Sequence, residues 1–132
     1  MPGSFIDTNI LIYLAGSDSG KAGKAETLLN AGGTISVQVL NELANVGRRK
    51  LGFSWDEVSA FLGALRELLN VVPMDEAVHD EGLRIAQRYG LSVYDGMIAG
   101  AALGAGCEIL WSEDMHSGLV IDHKLEIRNP FA

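Results

Sequence analysis

Ser4-Phe5-Ile6-Asp7-Thr8-Asn9-Ile10-Leu11-Ile12-Tyr13-Leu14-Ala15 is the stretch from which the rest of the chain can be read. Ser4 to Ile6 is a short apolar run of strand length, and Asn9 to Ala15 reads as the opening of a helix. Asp7 then stands at the carboxyl end of a strand and at the mouth of the next helix. Aspartate is a good helix N-cap in that place. It is also the place where open α/β sheets present groups to ligands.

The same alternation continues outward. Ser17 to Gly23 reads as a turn rich in Gly and Ser, followed by a helix from Lys24 to Asn30 that Gly32-Gly33 breaks. Thr34 to Val37 is a second strand, after which Val39, Leu43 and Val46 keep helical spacing. Past Gly52, Ser54 N-caps a helix running to about Leu69, with Glu57 completing a capping box. Asn70 to Val72 is a third strand, closed by Pro73. Asp75 caps a helix ending at Tyr89-Gly90, and Ser92 caps another over Val93 to Ala105. Ile109 to Trp111 and Leu125 to Arg128 complete five strands. Strands separated by helices, with few hairpin-length connections, predict a mostly parallel α/β sheet covered on both faces. At 132 residues, one domain is expected.

Composition narrows the class. The chain is 48% hydrophobic and 20% charged, which suits a packed core rather than a disordered segment. No run approaches the roughly 18 apolar residues of a membrane span, and Met97 to Cys107 is short and broken by glycine. The first residues lack a basic region and Asp7 interrupts their apolar stretch, so no signal peptide is expected. Cys107 is alone, so no disulfide forms within the chain and no zinc-type Cys/His spacing exists. The expected location is the cytoplasm, with no membrane partner. The net charge of −7 is opposite to the usual footprint of a nucleic-acid binder. That objection weakens where carboxylates converge on a divalent cation, whose charge then dominates the site. The acidic surplus also suits a basic protein partner, or plain solubility.

Three further carboxylates stand where a core would not choose them. Glu42 lies at the edge of the face formed by Val39, Leu43 and Val46, where an inward carboxylate is costly unless cations or donors compensate it. Arg49, or access to water, would account for it equally. Asp95 lies in the first turn of its helix, near the stripe of Tyr94, Ile98, Ala101 and Ala105; the helix dipole alone favours an acid there. Asp114 follows Ile109-Leu110-Trp111-Ser112-Glu113 and repeats the Asp7 arrangement, with Glu113 a rival for the same role. Together the four could converge at one end of a parallel sheet. An oxygen-only set suits Mg²⁺ or Mn²⁺, and its natural chemistry is hydrolysis of a phosphodiester by activated water.

At these positions the chain resembles the PIN domain, in its VapC-like bacterial branch. The matching pieces are Phe5 to Leu14 (FIDTNILIYL), Ser36 to Glu42 (SVQVLNE), Leu91 to Ala99 (LSVYDGMIA), Ser112 to Gly118, and Asn129-Pro130-Phe131. The likeness covers nearly the whole chain. It implies a PIN-like three-layer sandwich, a central sheet of about five parallel strands flanked by helices. It also implies endonucleolytic cleavage of RNA by the toxin half of a toxin–antitoxin pair, with a cognate antitoxin as partner. Carried over by position, Asp7 and Asp95 become the principal metal ligands. Asp114 ligates directly or through water, and Glu42 orients water or completes the shell. Asn9 and Ser112 match positions of polar support. Gly96 replaces a frequent alanine, a departure expected to be mild.

Other features carry less. Gly16 to Lys21 (GSDSGK) is one residue short of a phosphate loop, and Ala22 stands where Ser or Thr is required. Arg48-Arg49-Lys50 ends a helix, where cations favour the dipole and could also meet RNA phosphate. His116 reads as a solvated loop residue. Trp55, Phe61, Leu62 and Leu65 give their helix a broad apolar face, read as core and, secondly, as a homodimer interface. Three other readings compete with the toxin: an RNase of ordinary RNA processing, a phosphatase or phospho-acceptor domain, and a non-catalytic binding module. Asp7-Thr8-Asn9 lacks the second acid that a nucleophilic Asp-x-Asp requires.

Overall fold

Parallel strands are covered on both faces, and in the central strands here Phe5, Ile6, Ile35, Leu110, Leu125 and Ile127 are all fully buried. The computed structural model describes residues 3–132. In chain order the elements are β1 (Ser4–Ile6), α1 (Thr8–Leu11) with a 3-10 turn over Ile12–Ala15, α2 (Ser19–Asn30), β2 (Thr34–Ser36), α3 (Val37–Arg49), α4 (Trp55–Leu68), β3 (Asn70–Val72), α5 (Glu76–Tyr89), α6 (Val93–Gly104), β4 (Ile109–Trp111), β5 (Val120–Ile121) and β6 (Leu125–Arg128).

The sheet order is β3-β2-β1-β4-β6-β5. The five expected strands are present and parallel. A sixth, β5, adds an antiparallel edge on β6, so the sheet is mixed. Two residues are too few to show a period in sequence, and β5 exists because a tight turn folds it back. In that turn Asp122 and His123 both take positive φ, 53° and 58°. Asp122 is held there by Arg84 and by Tyr89, whose hydroxyl accepts from the Asp122 N–H at 2.8 Å.

From β1 the chain steps outward to β2 and β3, then returns to the other side of β1 with β4. The change of direction falls between β1 and β4, where open α/β sheets leave a crevice at the carboxyl ends. Ile6 pairs with Trp111, and the Asp7 N–H donates to the Trp111 carbonyl at 2.9 Å. The residues that follow the two strands therefore emerge side by side.

The expected caps operate at Ser54, with its full capping box, and at Asp75 and Ser92. Helix α2 starts five residues before the expected Lys24, because Asp18 caps it by accepting from the Lys21 N–H at 3.1 Å. The Gly- and Ser-rich composition hides that start. On α4, Leu65 is buried and Phe61 and Leu62 pack on the core, which leaves Trp55 and Leu68 exposed. The guanidinium of Arg48 covers the Trp55 ring at 4.4 Å.

Gly96 is a requirement of the packing rather than a mild departure from alanine. A Cβ there would lie 2.5 Å from the Gly82 carbonyl oxygen and 2.8 Å from the Ala86 Cβ. A Cβ on Gly82 would meet the Met97 sulfur at 2.5 Å. These glycines let α5 and α6 approach backbone to backbone. No described helix is long and apolar enough to cross a membrane.

Candidate active site

Four buried residues of the described chain are polar or charged: Asp7, Thr8, Ser36 and Ser112. Each stands at or just past the carboxyl end of a strand. Asp7 caps α1, its Oδ1 accepting from the Thr8 N–H at 2.7 Å. Its Oδ2 accepts from the Ser112 hydroxyl at 2.9 Å and from the Asn9 amide at 3.3 Å. The N-cap reading is therefore correct, and it does not exhaust the residue. A cap needs one oxygen; here both are held in place from two strand ends.

An open pocket of about 290 Å³ lies against this carboxylate, lined by Asp7, Thr8, Asn9, Ile12, Glu42, Asn45, Val46, Asp95 and Asp114. All four predicted acids face it, brought from β1, α3, α6 and the segment after β4. Glu42 is not paired with Arg49. Its Oε1 accepts from the Thr8 hydroxyl at 2.6 Å, so Thr8 ties α3 to the Asp7 turn. Thr8 went unassigned in the sequence; the only signal was a hydroxyl beside Asp7. Asp95 is half-buried in the first turn of α6, below Ser92, which accepts from its N–H at 3.1 Å. Asp114 is exposed at the rim.

Contacts separate the rivals Glu113 and Asp114: only Asp114 lines the pocket. Glu113 turns away: it accepts from the Tyr13 hydroxyl and pairs with Lys21, each at 2.5 Å. Lys21 holds its carboxyl below the usual range. The Glu113 N–H donates to the Asn9 side chain at 3.0 Å. Lys21 also lies over the rings of Tyr13 and Phe131, 4.8 and 5.1 Å from their centroids. The rejected phosphate-loop segment thus supplies a cation that takes Glu113 out of the pocket and leaves Asp114 in it.

Electrostatics set the pocket apart. Among the described residues, no ion pair involves Asp7, Glu42, Asp95 or Asp114. Burial pushes the Asp7 carboxyl up to about 7, with the charges of Glu42 and Asp95 adding to the rise and the hydrogen bonds from Ser112 and Thr8 opposing it. Asp95 is raised as well, by burial and then by Asp114. As they stand, no three of the described His, Cys, Asp or Glu side chains are close enough together to hold a metal ion. The donor set is nonetheless oxygen only, which fits a hard divalent cation and not zinc.

Other expectations fall outside the pocket. Arg48 donates to the Phe53 carbonyl at 2.8 Å, a structural role, and His116 is exposed in its loop. A larger cavity of about 590 Å³ lies at the opposite end of β4, bordered by Cys107, Glu108, His123, Lys124, Glu126 and Arg128. Its Arg128 is paired with Glu126, and burial pushes the Cys107 thiol up, away from reactivity. Size favours that cavity, but strand-end placement and the buried carboxylate of Asp7 favour the acidic pocket.

Known structures share this frame. A toxin–antitoxin complex from Klebsiella pneumoniae is similar with a TM-score of 0.73 at 20% identity, over 97% of this chain and 98% of that chain. DNA-bound VapBC from Salmonella typhimurium gives 0.73 at 21% identity, over 98% and 99%. VapC20 of Mycobacterium tuberculosis, a sarcin–ricin loop cleaving toxin, gives 0.68 at 17% identity, over 85% and 90%. At such identities the likeness is one of fold. No curated protein matches the sequence significantly. The PIN-domain family model matches residues 4–116, from the first strand through the segment carrying Asp114, and the chain belongs to the PIN-domain family.

Proposed function

We propose that this PIN domain is a divalent-metal-dependent endoribonuclease and the toxin component of a toxin–antitoxin pair. The observation that carries the reading is the convergence of Asp7, Glu42, Asp95 and Asp114 on one pocket without a cation. An acidic pocket costs folding free energy, and a bound cation would offset that cost.

Asp7, Asp95 and Asp114 would hold Mg²⁺ or Mn²⁺, with Glu42 completing the shell. The bound ion would supply a nucleophile from water at neutral pH and neutralise charge on the phosphate. The protein's part is orientation. Ser112, Asn9 and the Thr8 N–H fix both oxygens of Asp7, and Thr8 fixes Glu42. Such supporting hydrogen bonds set ligand direction and affinity. The toxin role and an antitoxin partner are supported by what the similar structures are: a toxin–antitoxin complex and VapBC. Trp55 and Leu68 are the apolar groups that α4 leaves for a homodimer contact.

The test is cleavage of a panel of single-stranded and structured RNAs by the purified chain with Mg²⁺ or Mn²⁺, against EDTA and against Asp7→Asn. Metal-dependent cutting that Asp7→Asn abolishes is expected. Metal binding without cutting any RNA would favour a binding module. Growth arrest on expression, relieved by a co-expressed neighbouring gene product, separates a toxin from an RNase of ordinary processing.

A further inference from the structure

Beside the acidic pocket runs a second depression of about 340 Å³, lined by Gln38, Asn41, Glu42, Asn45 and Tyr94. It shares Glu42 and Asn45 with the acidic pocket, so the two are continuous. One side is bordered by Tyr94, an aromatic residue that is 70% exposed although it directly precedes Asp95. The other wall is the face of α3 that bears three amides, at positions 38, 41 and 45. Gln38 donates to the Tyr94 carbonyl at 3.2 Å and ties α3 to the start of α6. Asn41 and Asn45 make no side-chain hydrogen bond among the described residues.

This composition is selective. No Lys or Arg lines the depression, so it is not built for phosphate. An aromatic face suits stacking by an unpaired base, and free amides suit hydrogen bonding to base edges. Phosphate belongs in the acidic pocket and the base beside it, one nucleotide spanning both. We propose that Tyr94, with Asn41 and Asn45, forms a base-binding subsite for the nucleotide flanking the scissile phosphate. The substrate is accordingly single-stranded at that position. The inference rests on the nuclease reading and deepens it.

The test pairs kinetics with a photochemical probe on the full chain. Tyr94→Ala is expected to raise KM for a single-stranded RNA oligomer by about tenfold or more. Tyr94→Phe and Tyr94→Trp should stay near wild type, and an oligomer made abasic beside the cut should erase the difference between wild type and Tyr94→Ala. Asn41→Ala is expected to change which base is preferred beside the cut. RNA carrying 5-iodouridine at that position should crosslink to Tyr94 on irradiation. Unchanged KM in Tyr94→Ala, or crosslinking elsewhere only, would overturn the subsite while leaving the nuclease intact. A Tyr94→Ala chain that loses self-association in sedimentation yet cleaves normally would also overturn it. If the wild-type chain cuts no RNA, the nuclease reading fails by itself, and the crosslink still decides whether the groove binds a base.

Discussion

Adjacent residues after β4 meet opposite fates. Glu113 is met by Lys21 and Tyr13, and its charge is fully compensated. Asp114 faces a pocket with three other acids and no cation. The same contrast separates Asp122, which Arg84 neutralises, from Asp7, whose partners are a serine, an amide and one backbone N–H. Among the described residues, acids elsewhere are paired or solvated, and the pocket gathers four acids without an ion pair. Such an arrangement disfavours folding and so points to a ligand. Acid content alone says little, since −7 spread over the surface would mean only solubility.

The largest effect that can break this contrast is at Asp7. Asp7→Asn should lower cleavage by more than about a thousandfold, ~4 kcal/mol of barrier, and at neutral pH it should raise the melting temperature of the metal-free protein. The folded carboxyl is raised to about 7 from 3.8. Its contribution to stability is therefore best at low pH, is lost as pH rises through that window, and stays unfavourable above it. Thermal denaturation at pH 5 and pH 8 checks the sign: the variant's advantage should appear at pH 8 and shrink at pH 5. An advantage equal at both would mean that the buried charge is not its source.

Next in size is the difference between neighbours. Asp114→Asn should reduce cleavage about 10–100-fold, by analogy with losses seen at groups that support a metal, whereas Glu113→Gln should stay within about threefold. Single-turnover rates on one RNA give both numbers. Equal losses would show that Glu113 shares the role of Asp114 after all.

A smaller, graded effect concerns pH and metal. Mn²⁺ must displace the proton on Asp7, so apparent affinity should rise by up to about tenfold per pH unit from 5 towards 7 and level off above. Calorimetric titration at four pH values measures it, and a flat profile would remove Asp7 from the ligand set. The smallest effect is structural: Gly96→Ala should destabilise the protein by about 1–3 kcal/mol through overpacking against α5. Chemical denaturation checks this, and a value near zero would mean that α5 yields easily.

The elements that sequence alone located are those defined by local rules. The five parallel strands, the caps at Ser54, Asp75 and Ser92, and the glycine stop at Gly90 follow from short-range sterics and hydrogen bonding. The candidate acids were likewise visible, because a carboxylate after a buried strand or at the edge of a core face breaks a local pattern. Their roles were not visible in the same way, since Asp7 caps a helix whether or not it does anything else.

Tertiary structure decided which charges are compensated. Lys21 reaches Glu113 across 92 positions of sequence and Ser112 reaches Asp7 across 105. No periodicity encodes such pairings, which arise only when β1 and β4 are laid side by side. The same holds for Thr8 on Glu42, for Gly82 beneath Gly96, and for the two-residue β5, whose turn is held by Arg84 and Tyr89. Sequence determined where the carboxylates stand along the chain; packing determined which of them meet one another without a cation.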